Sequence, residues 1–364
     1  MRFRISARVF LTLTVLAAVT GQLSGCAAMV RPRPPVGPPE VADFVVARDG
    51  HLYLDGRRFR FVGVNVYSLA SFPPNSGKYY CGLAHSDRDV ADIMGEVAAM
   101  GGNVIRLSVY QAFTEGGTDF SRLDFVIAEA KRHGLRLILT LENQWADCTA
   151  GGYKYADWYC DGYRQPYGSY RLSFVEYVRL IVGRYREEPT VLMWQLMNEA
   201  ESRNAWWMAE PEPLRAFAVE MSALIKSLDR RHPVSLGTGE VTRPGSGGGN
   251  YCALAGLAGL DVIEAHDYGD ERQAWPPAIA WANGIGALVG KPFFIGEVGI
   301  SSPPFSRQER AELIRAKMEA AWDAGVEGIL VWSYRAGDGT NKDFDARDPL
   351  AAAIRLFIST HAVR

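Results

Sequence analysis

Eight short apolar runs follow one another along the chain from residue 61 onward, separated by longer segments of mixed polarity. The runs are nearly continuous and rich in Val, Ile and Leu, which is typical of parallel strands buried on both faces. They lie at residues 61–65, 103–109, 135–141, 190–196, 233–238, 261–266, 292–297 and 328–333. The pattern therefore predicts eight buried strands.

The segments between these runs carry apolar residues at helical spacing. Ser86 and Gly101 suit the N-cap and the stop of a helix that precedes the second strand. Further helices are predicted at residues 120–132, 170–185, 213–228, 275–288, 306–324 and 348–358. Strands and helices that alternate in this number predict an α/β fold, a (β/α)8 TIM barrel, over residues 44–364.

Two Asp-Gly pairs precede the first strand. Asp49-Gly50 and Asp55-Gly56 stand between alternating apolar residues, so a short N-terminal β-hairpin is expected to lead into the barrel. The rival fold is a doubly wound sheet, which needs a glycine-rich phosphate loop after its first strand. The stretch "GVNVYSLASF" at 63–72 is not such a loop, and the sequence contains no internal repeat or second domain.

Composition and charge narrow the range of partners. Hydrophobic residues make up 48% of the 364 residues and charged residues 22%, which fits a globular chain with a sizeable core. The formal net charge is −2 and the basic residues form no stripe, so a nucleic-acid partner is not expected. The histidines lack metal-ligand spacing and no Cys-x-x-Cys motif occurs, so neither a metal site nor another cofactor is expected.

Residues 1–26 are typical of a targeting segment. Arginines near the N-terminus precede an apolar stretch at 9–19 that is too short to span a membrane. The stretch leads to Leu23-Ser24-Gly25-Cys26, which resembles the bacterial lipobox and predicts lipidation of Cys26; a plain signal peptide cleaved nearby is the alternative. Residues 27–43, rich in proline, would form an extended tether. The protein is expected to be exported and anchored in the bacterial cell envelope, at the outer membrane or the periplasmic face.

Four cysteines remain once Cys26 is assigned to the lipid. They are Cys81, Cys148, Cys160 and Cys252. An even number in an exported chain predicts two disulfides. Cys148 and Cys160 could close one loop while Cys81 and Cys252 join two others, but all three connectivities remain open.

Carboxylates follow two of the predicted strands, at the end of the barrel where enzymes of this fold carry their chemistry. Strand 4 ends at Asn198-Glu199 and strand 7 ends at Glu297, so the two carboxylates are expected to face each other across the barrel mouth. Glycoside hydrolysis uses such a pair, one as acid/base and the other as nucleophile or as activator of water. A single Glu at a strand end is usually a solvated loop residue, so this interpretation depends on the pair.

Other strand-end residues fit a sugar site. Arg106 on strand 2 could hold one Glu ionised, and Tyr268 after strand 6 could donate to the same carboxylate. Asn198 could contact a sugar hydroxyl, and Trp332 on strand 8 offers a flat apolar face for a pyranose ring. These assignments have structural alternatives. Arg106 could form a plain ion pair, and Trp332 could belong to the core. His266, at the end of strand 6, could be a hydrogen-bonded structural residue.

Five stretches match a known family in the same order along the chain. They are "NVIRLS" at 103–108, "MNEA" at 197–200, "HDY" at 266–268, "FFIGEVG" at 293–299 and "VWSY" at 331–334. Together they resemble glycoside hydrolase family 5, a family of retaining (β/α)8 glycosidases. The resemblance implies that Glu199 is the acid/base and Glu297 the nucleophile. It also implies that Arg106 and Tyr268 hold the nucleophile and that Asn198 contacts the sugar 2-hydroxyl. His266 and Trp332 are implied to be substrate-subsite residues.

Two further stretches are similar to the endo-β-1,4-mannanases of that family. "NQWADCTAGGYKYADW" at 143–158 resembles their strand 3 loop, which adds Asn143 and Trp145 to the expected substrate contacts. "IKSLDRRHPVSLGTGE" at 225–240 resembles their approach to strand 5. The chain departs from the family pattern at Ala200, where proline is usual.

These observations predict a retaining β-glycosidase that hydrolyses a β-1,4-linked polysaccharide by double displacement, foremost an endo-β-1,4-mannanase acting on mannan or glucomannan. A β-1,4-glucanase, or an exo-acting β-mannosidase or glucosidase, is the nearest alternative. A non-catalytic glycan-binding lipoprotein is the alternative from another class. The chain is expected to act as a monomer. An ionised Glu297 is expected to raise the pKa of Glu199, which gives a bell-shaped pH–rate profile.

Overall fold

The structure is a computed structural model, and it describes residues 44–71, 81, 84–269, 271–337 and 340–361. The targeting segment with Cys26 and the tether at 27–43 lie outside the described residues, so their predictions stay predictions.

Three short antiparallel strands precede the barrel: β1 (Val46–Arg48), β2 (His51–Leu54) and β3 (Arg57–Arg58). The two predicted Asp-Gly pairs form the turns between them, with φ of 48° at Asp49 and 51° at Asp55. Glycine follows each aspartate because tight hairpin turns need a second residue with positive φ. The apolar side chains of this segment pack against residues at the starts of the barrel strands. The hairpin therefore closes the barrel at the N-terminal end of its strands.

Eight parallel strands form the predicted barrel. They are β4 (Phe61–Asn65), β5 (Val104–Ser108), β6 (Arg136–Thr140), β7 (Val191–Gln195), β8 (Val234–Ser235), β9 (Ile263–Asp267), β10 (Phe293–Val298) and β11 (Gly328–Val331). Their order in the sheet is β8-β7-β6-β5-β4-β11-β10-β9. Backbone N–H groups of Asp261 and Val262 donate to the carbonyl of Val234, at 2.8 and 3.3 Å, and link the two outer strands. The TIM-barrel prediction is confirmed.

Helices lie between the strands along the chain. They are α1 (Asp87–Ala99), α2 (Ser121–Arg132), α3 (Ala156–Cys160), α4 (Phe174–Tyr185), α5 (Pro211–Leu228), α6 (Gly249–Ala255), α7 (Pro277–Val289), α8 (Arg307–Asp323) and α9 (Pro349–Thr360). The short helices α3 and α6 were not predicted. No helix in the described part of the chain combines the length and apolar character needed to cross a membrane.

Helix α4 begins later than the predicted start at residue 170, and its capping explains the difference. The Ser173 side chain accepts a hydrogen bond from the backbone of Glu176, and the Glu176 carboxylate accepts one from the backbone of Ser173. This reciprocal capping box satisfies backbone donors at the first turn and fixes where the helix starts. A periodic apolar pattern alone does not mark that boundary.

Gly63 provides a test of the close approach between β4 and β5. A Cβ atom at this position would lie 1.7 Å from the carbonyl oxygen of Val104, so the two strands would have to separate. We expect Gly63→Ala to lower the free energy of unfolding by about 3 kcal/mol, at the upper end of overpacking costs. Urea denaturation followed by circular dichroism measures the change.

The matched control is Gly183→Ala on the exposed side of α4. No atom lies within 4 Å of the added Cβ there, and alanine favours a helix over glycine by about 1 kcal/mol. This variant is expected to be slightly stabilised. Equal destabilisation of the two variants would contradict the packing argument.

Candidate active site

Glu199 and Glu297 meet at the carboxyl end of the barrel. Glu199 follows β7 in the chain and Glu297 lies within β10, and their exposed fractions are 8% and 3%. One carboxylate oxygen of each and a ring nitrogen of His266 all lie within 4.8 Å of one another. The structure thus brings the two predicted acids into one buried cluster.

Both oxygens of Glu297 accept hydrogen bonds from buried donors. Arg106 Nη1 donates to Oε1 at 2.7 Å, and the hydroxyl of Tyr268 donates to Oε2 at 2.6 Å. Burial and the charge of Glu297 raise the pKa of Tyr268 well above its ordinary value, so the phenol keeps the proton that it donates. Arg106 and Tyr268 therefore lie at the carboxylate to which the sequence assigned them.

The guanidinium of Arg106 binds four side chains at once. Nε donates to Gln195 at 2.8 Å, Nη1 donates to Asn65 at 2.9 Å as well as to Glu297, and Nη2 donates to Asn198 at 2.7 Å. Burial lowers the pKa of Arg106, but the charge of Glu297 helps to raise it above its ordinary value. The residue is a permanent buried cation that fixes the nucleophile candidate and Asn198 together.

Glu199 has a different set of donors. His266 Nδ1 lies 2.8 Å from Oε1, the indole Nε1 of Trp145 donates to Oε2 at 2.7 Å, and Arg243 Nη2 lies 3.6 Å from Oε2. Burial raises the pKa of Glu199, but these three partners together lower it to about 2. The carboxylate is therefore ionised in the resting site.

His266 stands between the two carboxylates. Its Nδ1 lies 2.8 Å from Glu199 and 3.4 Å from Glu297. Burial lowers the pKa of His266, and the two carboxylates raise it by more, to above the ordinary value of 6.5. The expectation of a raised pKa for Glu199 is wrong for the resting site, because His266, Arg243 and Trp145 lower this pKa by more than burial raises it.

The cluster of Glu199, His266 and Glu297 has the spacing of a metal site. Its donor set does not suit a cation, however. All four carboxylate oxygens already accept hydrogen bonds, and the Arg106 guanidinium lies 2.7 Å from Glu297. A metal ion would have to displace these donors and approach a buried positive charge.

The backbone at Glu199 explains the unusual Ala200. Glu199 has φ of 54°, in the left-handed region that non-glycine residues rarely occupy. The next N–H, of Ala200, donates to the carbonyl of Gly237 at 2.8 Å. Proline has no N–H and could not make this bond, which ties the segment after β7 to the segment after β8. The departure from the family pattern therefore has a structural role.

The carboxylates line a cleft of about 540 Å³, a volume within the usual range for small-ligand sites. All the predicted site residues at the barrel mouth line this cleft except His266, which is buried behind the carboxylates. The ring of Trp332 stacks on Tyr67, with centroids 5.5 Å apart and an interplanar angle of 6°. Asn198 Nδ2 donates to Asn143 at 3.0 Å, which holds two predicted contacts together.

A disulfide lies at the rim of the cleft. It joins Cys81 to Cys148, whereas Cys160 is an exposed free thiol. The suggested Cys148–Cys160 and Cys81–Cys252 pairs are therefore wrong. Sequence spacing could not decide this, because the barrel brings the segment after β4 beside the loop after β6.

Sequence reasoning missed four polar residues of the site. Asn65, Gln195 and Arg243 contact Arg106 or Glu199 directly. The fourth, Glu264, accepts hydrogen bonds from Gln195 Nε2 at 2.6 Å and Ser235 Oγ at 2.9 Å, and burial raises its pKa. Gln195 and Glu264 had a detectable signal, since each interrupts an apolar strand run. Arg243 had none, because it lies in the irregular glycine-rich loop after β8.

The chain is similar to known glycosyl hydrolases over most of its length. The family model described as Cellulase (glycosyl hydrolase family 5) matches residues 65–336, about three quarters of the chain. The chain belongs to glycosyl hydrolase family 5. This family 5 chain is 29% identical over 310 residues to the probable mannan endo-1,4-beta-mannosidase C of Aspergillus terreus, covering 74% of this chain and 71% of the relative. It is 28% identical over 345 residues to mannan endo-1,4-beta-mannosidase 8 of Oryza sativa, covering 77% and 88%.

Solved structures agree on the fold of this family 5 protein. The endo-1,4-beta-mannanase from Rhizomucor miehei superimposes with a TM-score of 0.70 at 20% identity, covering 88% of this chain and all of that one. The endo-beta-1,4-mannanase from Thermotoga petrophila gives 0.66 at 22% identity, covering 85% and 79%. The chain is a mannanase-like glycosidase of family 5, as the resemblance implied.

Proposed function

We propose that this glycosidase is an endo-β-1,4-mannanase that acts on mannan or glucomannan. The observation that carries the chemistry is the buried carboxylate pair, in which each acid has its own set of donors. The mannan preference is supported by the names of the relatives in fungi and rice. It is also supported by Asn143 and Trp145, which belong to the mannanase-like strand 3 loop and line the cleft.

The reaction in this proposal is a double displacement. Carboxyl groups about 5–5.5 Å apart are typical of retaining enzymes, whereas inverting enzymes need room for a water molecule between them. Here oxygens of Glu199 and Glu297 come within 4.8 Å of each other, which supports retention. Glu297 attacks the anomeric carbon and forms a glycosyl ester as the bond to the leaving glycosidic oxygen breaks, while Arg106 and Tyr268 orient its carboxylate through hydrogen bonds.

The proton for the leaving oxygen starts on His266 in this proposal. His266 Nδ1 lies 2.8 Å from Glu199 Oε1, so the proton can pass to Glu199 and from there to the glycosidic oxygen. In the second step Glu199 removes a proton from the attacking water, and the ester bond to Glu297 breaks. The proton then returns to His266, and the enzyme regains its resting state.

Asn198 and Trp332 position the sugar ring. Arg106 and Asn143 fix both polar atoms of the Asn198 amide, which orients it toward the hydroxyl next to the reacting carbon. The Trp332 ring lines the cleft and is held by its stack on Tyr67. A contact to that hydroxyl that strengthens in the transition state contributes to catalysis in glycosidases.

A β-1,4-glucanase is the second candidate, because the matching family model carries the description Cellulase. The carboxylate chemistry is the same for both polymers, so only the subsites around the reacting sugar distinguish them. The presence of the mannanase-like loop at 143–158 favours mannan over cellulose.

Hydrolysis of a polymer panel tests the proposed function. The purified protein is incubated with mannan, glucomannan and carboxymethylcellulose, and products are resolved by size and by the anomeric configuration of new ends. We expect cleavage of mannan and glucomannan into oligosaccharides of several lengths, with the β anomer formed first. Release of single sugars only would indicate exo action, and cleavage restricted to carboxymethylcellulose would favour the glucanase.

Glu297→Gln tests the assignment of the catalytic nucleophile. Removal of a nucleophile is expected to reduce kcat by about 10³-fold or more. Glu212→Gln makes the same chemical change at an exposed carboxylate on α5 and is expected to keep full activity. If Glu297→Gln retains most of its activity with an unchanged melting curve, the assignment fails.

The alkaline limb of the pH–rate profile tests the role of His266. The pKa of His266 is raised above 6.5 in the folded protein. The imidazole therefore keeps its proton at pH values below this raised pKa and loses the proton as the pH rises through it. We expect kcat/KM to fall on the alkaline side of 6.5, and His266→Gln to lower kcat/KM by about 10²-fold and move that limb. An alkaline limb that is the same in the variant would contradict the proton route.

We also propose that a lipid on Cys26 anchors the enzyme in a bacterial envelope, on the basis of the lipobox-like sequence at 23–26. The full chain expressed in a bacterium is expected in the membrane fraction and to be released by detergent. Cys26→Ser should move it to the soluble fraction, because a serine cannot form the thioether to the lipid. The same distribution for both proteins would exclude the anchor.

A further inference from the structure

Two tryptophans project into solvent close to the catalytic cleft. Trp206 and Trp207 are 84% and 70% exposed, and the following Met208 is 65% exposed. They lie in the loop between Glu199 and α5, in a segment of residues 203–209 that we name the tryptophan turn. Contiguous large apolar side chains held in water are typical of binding surfaces.

The tryptophan turn is well ordered by its own hydrogen bonds. The Asn204 side-chain oxygen accepts from the backbone N–H of Trp206 at 2.9 Å and of Met208 at 3.1 Å. Arg203 pairs with the far side of the turn in an antiparallel bridge. Trp207 has φ of 66°, a conformation that is costly for a bulky residue. The turn therefore has a hydrogen-bonded backbone from which both indoles extend into solvent.

A series of side chains in contact connects this turn to the catalytic centre. The Arg203 guanidinium carbon lies 3.6 Å from the ring centroid of Trp207 and 4.5 Å from that of Tyr153. The Tyr153 ring lies 5.6 Å from the ring of Trp145, whose indole donates to Glu199. The exposed indole of Trp207 is thus connected through these side chains to Trp145, which lines the cleft.

We propose that the tryptophan turn is a remote sugar-binding surface for a β-linked hexopyranose chain that extends out of the cleft. Pyranose rings present flat C–H faces that stack on indole rings, and the turn exposes two such rings, of which Trp207 is held by Arg203. This proposal rests on the proposed function, which places the reacting sugar in the cleft. The occupant is a polysaccharide because the turn is continuous with a cleft that is suited to sugars.

An anionic lipid surface fits the turn less well. Arg203 is the one cation within residues 203–209, and its side chain is 3.3 Å from the carboxylate of Glu201 and stacked on Trp207. It is only 9% exposed, so it offers little charge to a headgroup. Membrane contact and self-association are treated as outcomes of the test.

The test compares long and short substrates for the Trp206→Ala/Trp207→Ala double variant. We expect kcat/KM on mannan polymer to fall about tenfold, as the loss of two ring-stacking contacts implies, while kcat/KM on mannotriose stays within about twofold. Leu356→Ala on α9 removes a similarly exposed apolar side chain away from the cleft and serves as the matched control. It should leave both values unchanged.

A binding assay separates this proposal from the proposed function. Glu297→Gln protein, with and without the two tryptophan substitutions, is mixed with insoluble mannan and cellulose, and the retained fraction is measured. Weaker retention of the tryptophan variant supports the sugar surface even if no polymer is hydrolysed. The proposal is overturned if the proteins with and without the tryptophan substitutions are retained equally on each polymer. Equal losses of kcat/KM on long and short substrates, or a loss confined to lipid-vesicle binding or self-association, would also overturn it.

Discussion

Removing a guanidinium from water costs several kcal/mol, and the barrel mouth is arranged so that hydrogen bonds offset this cost for Arg106. Its acceptors are Asn65 on β4, Gln195 on β7, Asn198 after β7 and Glu297 on β10. Because one planar cation serves all four, a shift of any of these strands disturbs every other contact. The position of the candidate nucleophile is therefore a property of the closed barrel as a whole.

Two chemically identical side chains acquire different properties around this cation. Glu297 faces a charge that does not titrate, since an arginine remains protonated at any working pH. Glu199 faces His266, whose imidazole can gain and lose a proton and whose pKa the two carboxylates raise above its ordinary value. The site thus gives one carboxylate a permanently charged partner and the other a partner that can exchange a proton with it. Differences in environment, rather than in residue type, divide the roles of paired carboxylates in this way.

The sequence was most informative where a property is local. Buried strands appear as apolar runs, so the barrel and the strand-end positions of Glu199 and Glu297 were predictable. Properties that depend on partners distant in the chain were not. The low pKa of Glu199 comes from His266 and Arg243, and the Cys81 bridge depends on which loops meet above the barrel. Gln195 was visible as a polar residue in an apolar strand, but its hydrogen bond with Arg106 was not.

The bridge between Cys81 and Cys148 gives the cleft a dependence on its surroundings that the barrel does not share. The barrel is held by packing and backbone hydrogen bonds, which form in any aqueous compartment. The bridge joins two segments 67 residues apart and persists only where thiols are oxidised. Under reducing conditions the barrel would therefore fold while the two segments at the cleft rim lacked their covalent link. The covalent state of the cleft rim therefore depends on the redox conditions under which the protein folds.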